Sequence, residues 1–397
     1  MTLASGETLA ARHRRLREAL AAASLDAVVV THLPNLFYLM NFAGTAGIAV
    51  VAADRIYFVI DFRYRSAVEE LEKSPYGCPG CEVIPVERSY DETLIALLRK
   101  TGFGRLAVEG AQMPVSRLFQ LAKRLAAEVE VGGTIVPGPS GGSGGVLVAS
   151  DTLVERLRIV KDPHEIETLR GAAVLLSAVA VDVLHQVKPG VSERECAAEI
   201  DWRLKAAGFD RPAFDTIVAS GPNAALPHAH PGDRLLHEGD LVVLDFGGVY
   251  GGYCVDLTRT IALGAPDEEM RRVHGAVLEA QTQAIAACRP GVKASHIDAA
   301  ARDALRCHQL AEAFGHSTGH GLGIEVHEAP RIGPRQQPAA PNGDDLPDDT
   351  IQPGMVFTIE PGAYLPGWGG VRIEDDVLMT HEGVEVLTAV PRDLTVS

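Results

Sequence analysis

Two acidic side chains mark a predicted β-hairpin in the stretch LVVLDFGGVYGGYCVDLTRT. Residues 241–244 are continuously apolar, which predicts a strand that is buried on both faces. The glycines around Tyr250 supply the residues that a tight turn requires. If Tyr250 and Gly251 are the two turn residues, antiparallel pairing places Asp245 directly opposite Asp256, with the two β-carbons about 5 Å apart. This hairpin would therefore bring two carboxylates together on a buried surface.

A second predicted hairpin repeats the arrangement with two glutamates. Glu360 and Glu374 flank YLPGWGG, and a turn centred on Gly367 places them opposite one another. Two like charges about 4 Å apart repel by about 4 kcal/mol at an effective dielectric constant near 20. Four carboxylates on buried strands therefore need protons or cations, and cations are the better fit. The alternative is that all four are surface acids at the ends of strands.

Three histidines follow one another in a glycine-rich stretch, GHSTGHGLGIEVHE. The glycines between His316, His320 and His327 argue against a helix, and so against the HExxH arrangement of zinc proteases. One such histidine is more often a hydrogen-bonded core residue than a ligand, but three beside two acidic hairpins are candidate metal ligands. Carboxylate-rich ligation favours Mn²⁺, or Co²⁺, over a thiolate-type zinc site.

The sequence that must position these residues contains an internal repeat. VKPGVSERECAAEIDWRLKAAG, from Val187, resembles CRPGVKASHIDAAARDALRCHQL, from Cys288, and each predicts a turn followed by an amphipathic helix. Further along, GDLVVLDFG resembles GMVFTIEPG, and each carries an acid, Asp245 or Glu360, after its apolar run. Two copies of a helix-then-strand unit predict a pseudo-twofold α+β domain in which each half contributes one acidic hairpin.

The first third of the chain alternates helix and strand patterns, which predicts an α/β domain that precedes the repeat. We predict a helix over residues 9–23 and strands over 27–30, 48–52, 56–60 and 105–108. The stretch GGTIVPGPSGGSGG, residues 132–145, lacks the GK[ST] of a phosphate-binding loop and is interpreted as a connection. With 397 residues, two domains are expected, and we place them at 1–150 and 151–397.

Composition narrows the classes of function. Hydrophobic residues make up 46% of the chain and charged residues 22%, as in globular proteins with a full core. The net charge of −16 argues against a nucleic-acid partner. We expect a cytoplasmic protein without a membrane partner, because the amino terminus lacks a secretory pattern and no apolar stretch reaches roughly 18 residues. Cys78 and Cys81, in CPGC, suggest a redox pair or half a zinc site, but the Pro and Gly between them favour an incidental turn.

Several longer motifs resemble those of the pita-bread metallopeptidases, and within them the proline-specific branch of prolidases and aminopeptidase P. These motifs are ALPHAHPGD, GDLVVLDFGGVYGGYCVDLTR, GHSTGHGLGIEVHEAPR, IEPG and GGVRIEDD. The resemblance covers residues 151–397 and extends more weakly to the first 130 residues, which are similar to the family's amino-terminal domain. It implies a pita-bread catalytic domain with a pseudo-twofold repeat, preceded by an α/β domain.

The resemblance also implies two bound divalent cations, with Mn²⁺ favoured and Co²⁺ or Zn²⁺ as alternatives. Matching positions assign the ligands to Asp245, Asp256, His320, Glu360 and Glu374. Asp256 and Glu374 would bridge the two cations, and Thr258 would support the ligands from outside. Such a pair of cations acidifies a water and polarises the scissile carbonyl, and Glu360 would carry the proton to the leaving nitrogen.

Other matching positions imply roles around the substrate. His228, in ALPHAH, would position and protonate the reacting groups, with His230 as a competitor for that role. His316 and His327 would line the pocket around the scissile bond. Arg372 would support the metal carboxylates or the substrate.

The substrates that the resemblance implies are small peptides with proline at the second position. The nitrogen of proline carries no hydrogen, so a dedicated enzyme is needed for bonds to it. A dipeptidase must also bind the free carboxylate of proline, and Arg331, in EAPR, suits that task. We favour an Xaa-Pro dipeptidase, with aminopeptidase P acting on longer peptides as the alternative.

More distant alternatives share the fold. A creatinase-like, metal-free amidinohydrolase or a non-enzymatic binding protein would lack the ligands that this chain contains. Methionine aminopeptidase is disfavoured by the large amino-terminal domain and by VHEAPR. The family's habit of pairing through the amino-terminal domain makes a homodimer the expected assembly.

Two features of the sequence depart from the family pattern. The polar, Pro-rich segment 332–353 looks longer than in compact prolidases, and is either a harmless surface insertion or a flap that limits substrate length. Cys254 lies two residues before Asp256, where its thiol would either sensitise the enzyme to oxidation or simply pack.

Overall fold

The computed structural model describes residues 2–138, 144–150, 152–335 and 348–395, and the chain divides after Arg158. Each of the two units has its own sheets and its own hydrophobic core. The functional boundary near residue 150 stays a prediction. Among the described residues, no helix is both long enough and apolar enough to cross a bilayer.

The amino-terminal unit is built on one mixed sheet. Its elements in chain order are α1 (Gly6–Ala22), β1 (Ala27–Val30), α2 (Leu33–Met40), β2 (Ile48–Ala52), β3 (Ile56–Ile60), α3 (Phe62–Glu72), β4 (Cys81–Pro85), α4 (Tyr90–Thr101), β5 (Arg105–Glu109), α5 (Val115–Leu125), β6 (Glu128–Val131), β7 (Thr134–Val136), β8 (Val146–Ser150) and α6 (Glu155–Ile159). The strand order of the sheet is β4-β3-β2-β1-β5-β8-β6-β7. The central strand β1 is buried along its whole length, as its apolar sequence AVVV predicts.

The helix and the four strands predicted for this unit are confirmed, with small shifts of their ends. The predicted first helix begins earlier, at Gly6, because the Ser5 hydroxyl caps it by accepting a hydrogen bond from the Thr8 amide at 3.2 Å. In the CPGC sequence, the Cys81 amide donates to the Cys78 carbonyl at 3.2 Å, and both thiols are free. That segment therefore forms a turn.

The glycine-rich stretch 132–145 is only partly a connection, which corrects the prediction. Residues 134–136 form β7, which pairs with β6 across a two-residue turn. Gly132 and Gly133 have φ angles of 56° and 76°, the conformation that such a turn requires and that side chains disfavour. Residues 139–143 of this stretch lie outside the described residues.

The second unit is α+β, as predicted. Its elements in chain order are α7 (Pro163–Leu184), α8 (Glu193–Ala206), β9 (Arg211–Pro212), β10 (Ile217–Ser220), β11 (Leu241–Tyr250), β12 (Tyr253–Ala262), α9 (Glu268–Ala287), α10 (Ala294–Cys307), β13 (Gly319–Gly321), β14 (Glu328–Ile332), β15 (Val356–Ile359), β16 (Gly362–Leu365), β17 (Gly369–Arg372), β18 (Asp375–Met379) and β19 (Val384–Val386). Strands β9 to β12 form one sheet, and β14-β13-β15-β18-β19 form another.

The predicted repeat is visible in the order of these elements. Helices α8 and α10 each begin directly after a Pro-Gly-Val turn, and each is followed by a strand hairpin that carries acids. Ser192 and Glu195 form a reciprocal capping box that sets the start of α8. Small and branched side chains of α9 and α10 pack against the strands of the second hairpin, so the acids project from a rigid core.

Candidate metal centre

The first acidic hairpin has a register that differs from the predicted one. Tyr250 pairs with Tyr253, so Gly251 and Gly252 form the turn, with φ angles of 58° and 89°. Both values are positive, as a type I′ turn demands, and two consecutive glycines meet that demand better than Tyr-Gly. Asp245 consequently lies opposite Thr258 rather than opposite Asp256. The two aspartates are diagonal neighbours on the same face.

The second hairpin has the predicted register. Ile359 pairs with Asp375 on one side of the acids, and Gly362 pairs with Arg372 on the other. This common register places Glu360 opposite Glu374, around the turn that contains Gly367.

The structure brings the predicted ligand residues to one cavity of about 480 Å³. Ligand atoms of Asp256, His320 and Glu374 all lie within 4.8 Å of one another. The Nε2 atom of His320 is 3.6 Å from Oε1 of Glu360 and 4.0 Å from Oδ2 of Asp256. Asp245 lines the same cavity. Four carboxylates and one imidazole therefore converge from three separate segments of the chain.

Without a counter-charge, burial and mutual repulsion disfavour the ionised form of these carboxylates. Burial raises the pKa of Glu360 to about 8, against the attraction of Arg372. Burial and neighbouring acids raise the pKa values of Asp256 and Glu374 well above the ordinary range. Like charges in a desolvated site disfavour ionisation unless cations are present.

The donor set fits divalent cations. Within the described residues, Oδ1 of Asp245 and Oδ1 of Asp256 are buried and accept no hydrogen bond. A buried carboxylate oxygen without a partner costs free energy that a bound cation would recover. Burial lowers the pKa of His320 to about 4, so its ring is neutral and offers a nitrogen lone pair. Hard oxygen donors with one imidazole suit Mn²⁺ or similar ions.

One cation of the protein itself, Arg372, already neutralises part of the site. Its guanidinium makes a short charged hydrogen bond to Oδ2 of Asp245. It also donates to the Thr258 hydroxyl at 3.2 Å and to the Tyr364 hydroxyl at 2.7 Å. The Thr258 hydroxyl in turn donates to Oε2 of Glu374 at 2.6 Å. Arg372 and Thr258 thus connect a ligand of the first hairpin with a ligand of the second.

The predicted histidines occupy different depths of the cavity. Nε2 of His316 lies 2.8 Å from the Tyr364 hydroxyl, and burial lowers the pKa of His316 to about 4. The ring centroid of His327 is 4.3 Å from that of His320, and burial lowers the pKa of His327. His228 and His230 also line the cavity and are exposed to solvent.

Arg331 lies at the exposed edge of the cavity, where its guanidinium donates to the Pro334 carbonyl at 3.3 Å. The neighbouring segment 332–353 is described at its two ends, and residues 336–347 lie outside the described residues. Cys254 packs: its thiol is buried, lies 3.6 Å from the Ile324 carbonyl, and has a pKa that burial raises to about 12.

Sequence reasoning missed Tyr364, which holds both Arg372 and His316. Burial raises its pKa to about 12, so the protonated hydroxyl donates to Nε2 of His316 while it accepts from Arg372. Its position four residues after Glu360, in an alternating strand, was a usable signal.

The acids that follow Glu374 were also missed, although they stand in the motif GGVRIEDD. Oδ2 of Asp376 accepts from the Asp256 amide at 2.9 Å. Asp375 accepts from the Arg259 guanidinium at 2.7 Å, and Arg259 also donates to the Glu374 carbonyl. Asp376 therefore bonds to the backbone of the first hairpin, and Asp375 bonds to one of its side chains.

A third group that sequence reasoning missed lines the cavity from the start of β10: Phe214, Asp215 and Ile217. Ile217 pairs directly with the predicted ligand Asp245. These positions follow a short bridge strand, and the sequence offers no catalytic motif there.

Comparison with known proteins agrees with this geometry. The model of metallopeptidase family M24 matches residues 167–381, and that of the creatinase/prolidase amino-terminal domain matches residues 12–137. The chain belongs to metallopeptidase family M24. It is therefore a metal-dependent peptidase, and the resemblance to the pita-bread family is confirmed.

Individual M24 relatives match over nearly the whole chain. An Xaa-Pro dipeptidase of Pyrococcus horikoshii is 34% identical over 375 residues, which cover 94% of this chain and 95% of the relative. The structure of an Xaa-Pro dipeptidase from Bacillus anthracis superposes with a TM-score of 0.85 at 34% identity, covering 98% of this chain and 99% of that one. An X-Pro aminopeptidase from Thermotoga maritima gives a TM-score of 0.80 at 30% identity, covering 96% and 100%.

Proposed function

We propose that this M24 peptidase hydrolyses the bond before proline in small peptides, with two divalent cations bound by Asp245, Asp256, His320, Glu360 and Glu374. The convergence of these five side chains in one cavity, with two buried carboxylate oxygens that accept no hydrogen bond in the described structure, carries the proposal. The Xaa-Pro specificity of the relatives from Pyrococcus horikoshii and Bacillus anthracis supports the choice of substrate.

When bound, the two cations supply an acidified water and positive charge for the scissile carbonyl. Glu360 is the proton carrier in this proposal, because its carboxylate lies at the cavity, 3.6 Å from Nε2 of His320. A carboxylate at the reacting centre can accept a proton and pass it on.

The other residues act by orientation and hydrogen bonding. Arg372 holds Asp245 in place and, through Tyr364, fixes the ring of His316. His228 and His327 line the cavity and are the proposed donors to the peptide group and the leaving nitrogen. Phe214 and Ile217 give the cavity an apolar wall beside Asp245.

Within this activity, we favour cleavage of dipeptides. The exposed guanidinium of Arg331 at the edge of the cavity suits the free carboxylate of a carboxy-terminal proline. The aminopeptidase from Thermotoga maritima is a structural neighbour of comparable TM-score, which keeps cleavage of longer peptides as the second candidate.

The test compares an Ala-Pro dipeptide with an Ala-Pro-Ala tripeptide, using protein stripped of metal by a chelator and then reloaded with Mn²⁺, Co²⁺ or Zn²⁺. We expect no hydrolysis after stripping, recovery on reloading with best rates for Mn²⁺, and a higher kcat/KM for the dipeptide. A preference for the tripeptide would select aminopeptidase P. Undiminished hydrolysis by protein shown to be free of metal would overturn the dinuclear site.

Two further properties belong to this proposal. All six cysteines are free, which is typical of proteins in a reducing compartment such as the cytoplasm. We also propose a homodimer, which sedimentation in solution would test.

A further inference from the structure

Beyond the proposed hydrolysis, and resting on it, we infer that Asp215 is a specificity-determining residue that selects substrates with a positively charged side chain before proline. Asp215 lies between β9 and β10 and lines the same cavity as the metal ligands. It is not among the proposed metal ligands, and it stands outside the cluster of Asp256, His320 and Glu374.

The segment that leads into β10 determines the direction in which Asp215 faces. Side chains alternate along an extended chain, so Asp215 and Ile217 share one face and Thr216 faces the other. Thr216 is buried on that opposite face, where its hydroxyl donates to Oδ1 of Asp201 at 2.6 Å. This anchor holds the segment so that Asp215 and Ile217 both border the cavity.

Distance along the chain decides which part of the substrate Asp215 can meet. Ile217, the first residue of β10, pairs directly with Asp245, and Asp215 lies two residues earlier, about 7 Å away for extended backbone. The α-ammonium of a substrate is one carbon away from the scissile carbonyl, so it must remain near the metal ligands. A lysine side chain before proline carries its ammonium on a flexible four-carbon stem, which is long enough to bridge that separation.

The charge of the cavity supports the same assignment. The Asp215 side chain is exposed and has no hydrogen bond or ion pair in the described part of the chain. The charged groups deeper in the cavity are engaged with one another, since Arg372 is bound to Asp245. Arg331 provides the positive edge of the cavity, and Asp215 provides a negative edge outside the metal cluster.

Phe214 and Ile217 flank the acid and make the assignment selective for long side chains. Both line the cavity and are partly exposed. The aliphatic stem of lysine packs on apolar surface while its charged end reaches a polar group. A site of this kind binds the side chain of leucine or norleucine through contacts with Phe214 and Ile217 alone. Lysine or arginine binds more tightly, because its charged group also reaches Asp215.

The experiment uses the metal-loaded full chain and two dipeptides, Lys-Pro and norleucine-Pro, which have the same four-carbon stem with and without the ammonium. We expect wild-type kcat/KM for Lys-Pro to exceed that for norleucine-Pro by about fivefold, the scale of one partly exposed charge pair. D215N should bring this ratio close to one, because kcat/KM should fall more for Lys-Pro than for norleucine-Pro. D215K should shift the preference towards Glu-Pro. Added salt should reduce the wild-type ratio, since the pair is open to solvent.

D210N is the matched control, because Asp210 is an exposed acid five positions away that does not line the cavity. It removes the same charge and should leave the Lys-Pro to norleucine-Pro ratio at the wild-type value. An unchanged ratio in D215N, or an equal loss for both dipeptides as expected for binding of the α-ammonium, would overturn the assignment. If neither dipeptide is hydrolysed by the wild-type protein, the proposed function itself fails.

Discussion

The two acidic hairpins hold their carboxylates in different ways. In the first, β11 and β12 pair without interruption from the turn to Leu241, and Asp245 and Asp256 lie on a diagonal. In the second, the pairing breaks at the acids, so that β15 and β16 are separate strands, as are β17 and β18.

The break in the second hairpin leaves the backbone amides of its two glutamates free to bond to other segments. The Glu360 amide donates to the Thr318 carbonyl at 2.7 Å, and the Glu374 amide donates to the Thr258 carbonyl at 3.1 Å. Pro361, which has no amide hydrogen, stands at the break. The second hairpin therefore bonds on one side to the segment before His320 and on the other to the first hairpin. The continuous first hairpin supplies two of the proposed ligands, Asp245 and Asp256. The interrupted second hairpin supplies Glu360 and Glu374, and its bond to Thr318 brings the segment of His320 beside them.

The largest effect should come from removing a ligand that joins the hairpins. We expect E374Q to reduce kcat/KM by more than about 1,000-fold, beyond the roughly 10- to 100-fold that the loss of an outer partner costs. Metal content should fall in parallel when measured on the dialysed protein. E382Q, at an exposed glutamate in the same unit, is the control and should retain both activity and metal. Full metal occupancy in E374Q would exclude Glu374 as a ligand.

Removing the cations should expose the electrostatic strain of the second hairpin. Glu360 has a pKa of about 8 in the folded protein against an ordinary 4.5, so the folded state retains a proton that the unfolded chain has lost. Glu360 should therefore stabilise the metal-free protein most below pH 4.5, and its contribution should fall by up to about 1.4 kcal/mol per pH unit above that value and level off above pH 8.

Denaturant unfolding in the presence of a chelator measures this slope. E360Q is the control, because glutamine does not titrate, so the difference in stability between wild type and E360Q isolates the contribution of Glu360. A difference that does not fall between pH 4.5 and pH 8 would contradict the raised pKa of Glu360.

Thr258 tests the connection between the hairpins. It lies opposite Asp245 and donates to Glu374, so T258V should remove the hydrogen-bond partner of that carboxylate oxygen and of the Nε–H group of Arg372. We expect a loss of about 10- to 100-fold in metal affinity, measured by competition with a chromogenic chelator. T258S keeps the hydroxyl and should recover most of it. If T258V and T258S bind metal equally well, the hydroxyl does not support the site.

The smallest effect concerns the turn that sets the register of the first hairpin. Gly251 has a φ angle of 58°, so G251V should destabilise the protein by about 1–2 kcal/mol. G251N creates an Asn-Gly turn, which suits the same conformation, and should be nearly neutral. Thermal unfolding of the metal-loaded protein measures both variants. Equal stability of G251V and wild type would show that the positive φ is not required.

The sequence by itself predicted the helix and four strands of the amino-terminal unit and the acids that stand on the two hairpins. Runs such as residues 241–244 are too apolar to lie on a surface, and the turn around Gly367 has one register that suits its residues. The family motifs selected His320, among His316, His320 and His327, as the histidine that binds metal. None of these inferences depends on where distant segments meet.

Only the tertiary structure decided which residues of separate segments lie opposite or contact one another. The register of β11 and β12 depended on whether Tyr250 or Gly252 entered the turn, and one position of slip at each strand changes which residue faces Asp245. Tyr364 joins His316 to Arg372, and Asp215 reaches the cavity from a short strand without any motif of its own. Local sequence preferences act over a few residues, whereas these contacts join segments that only the packed core brings together.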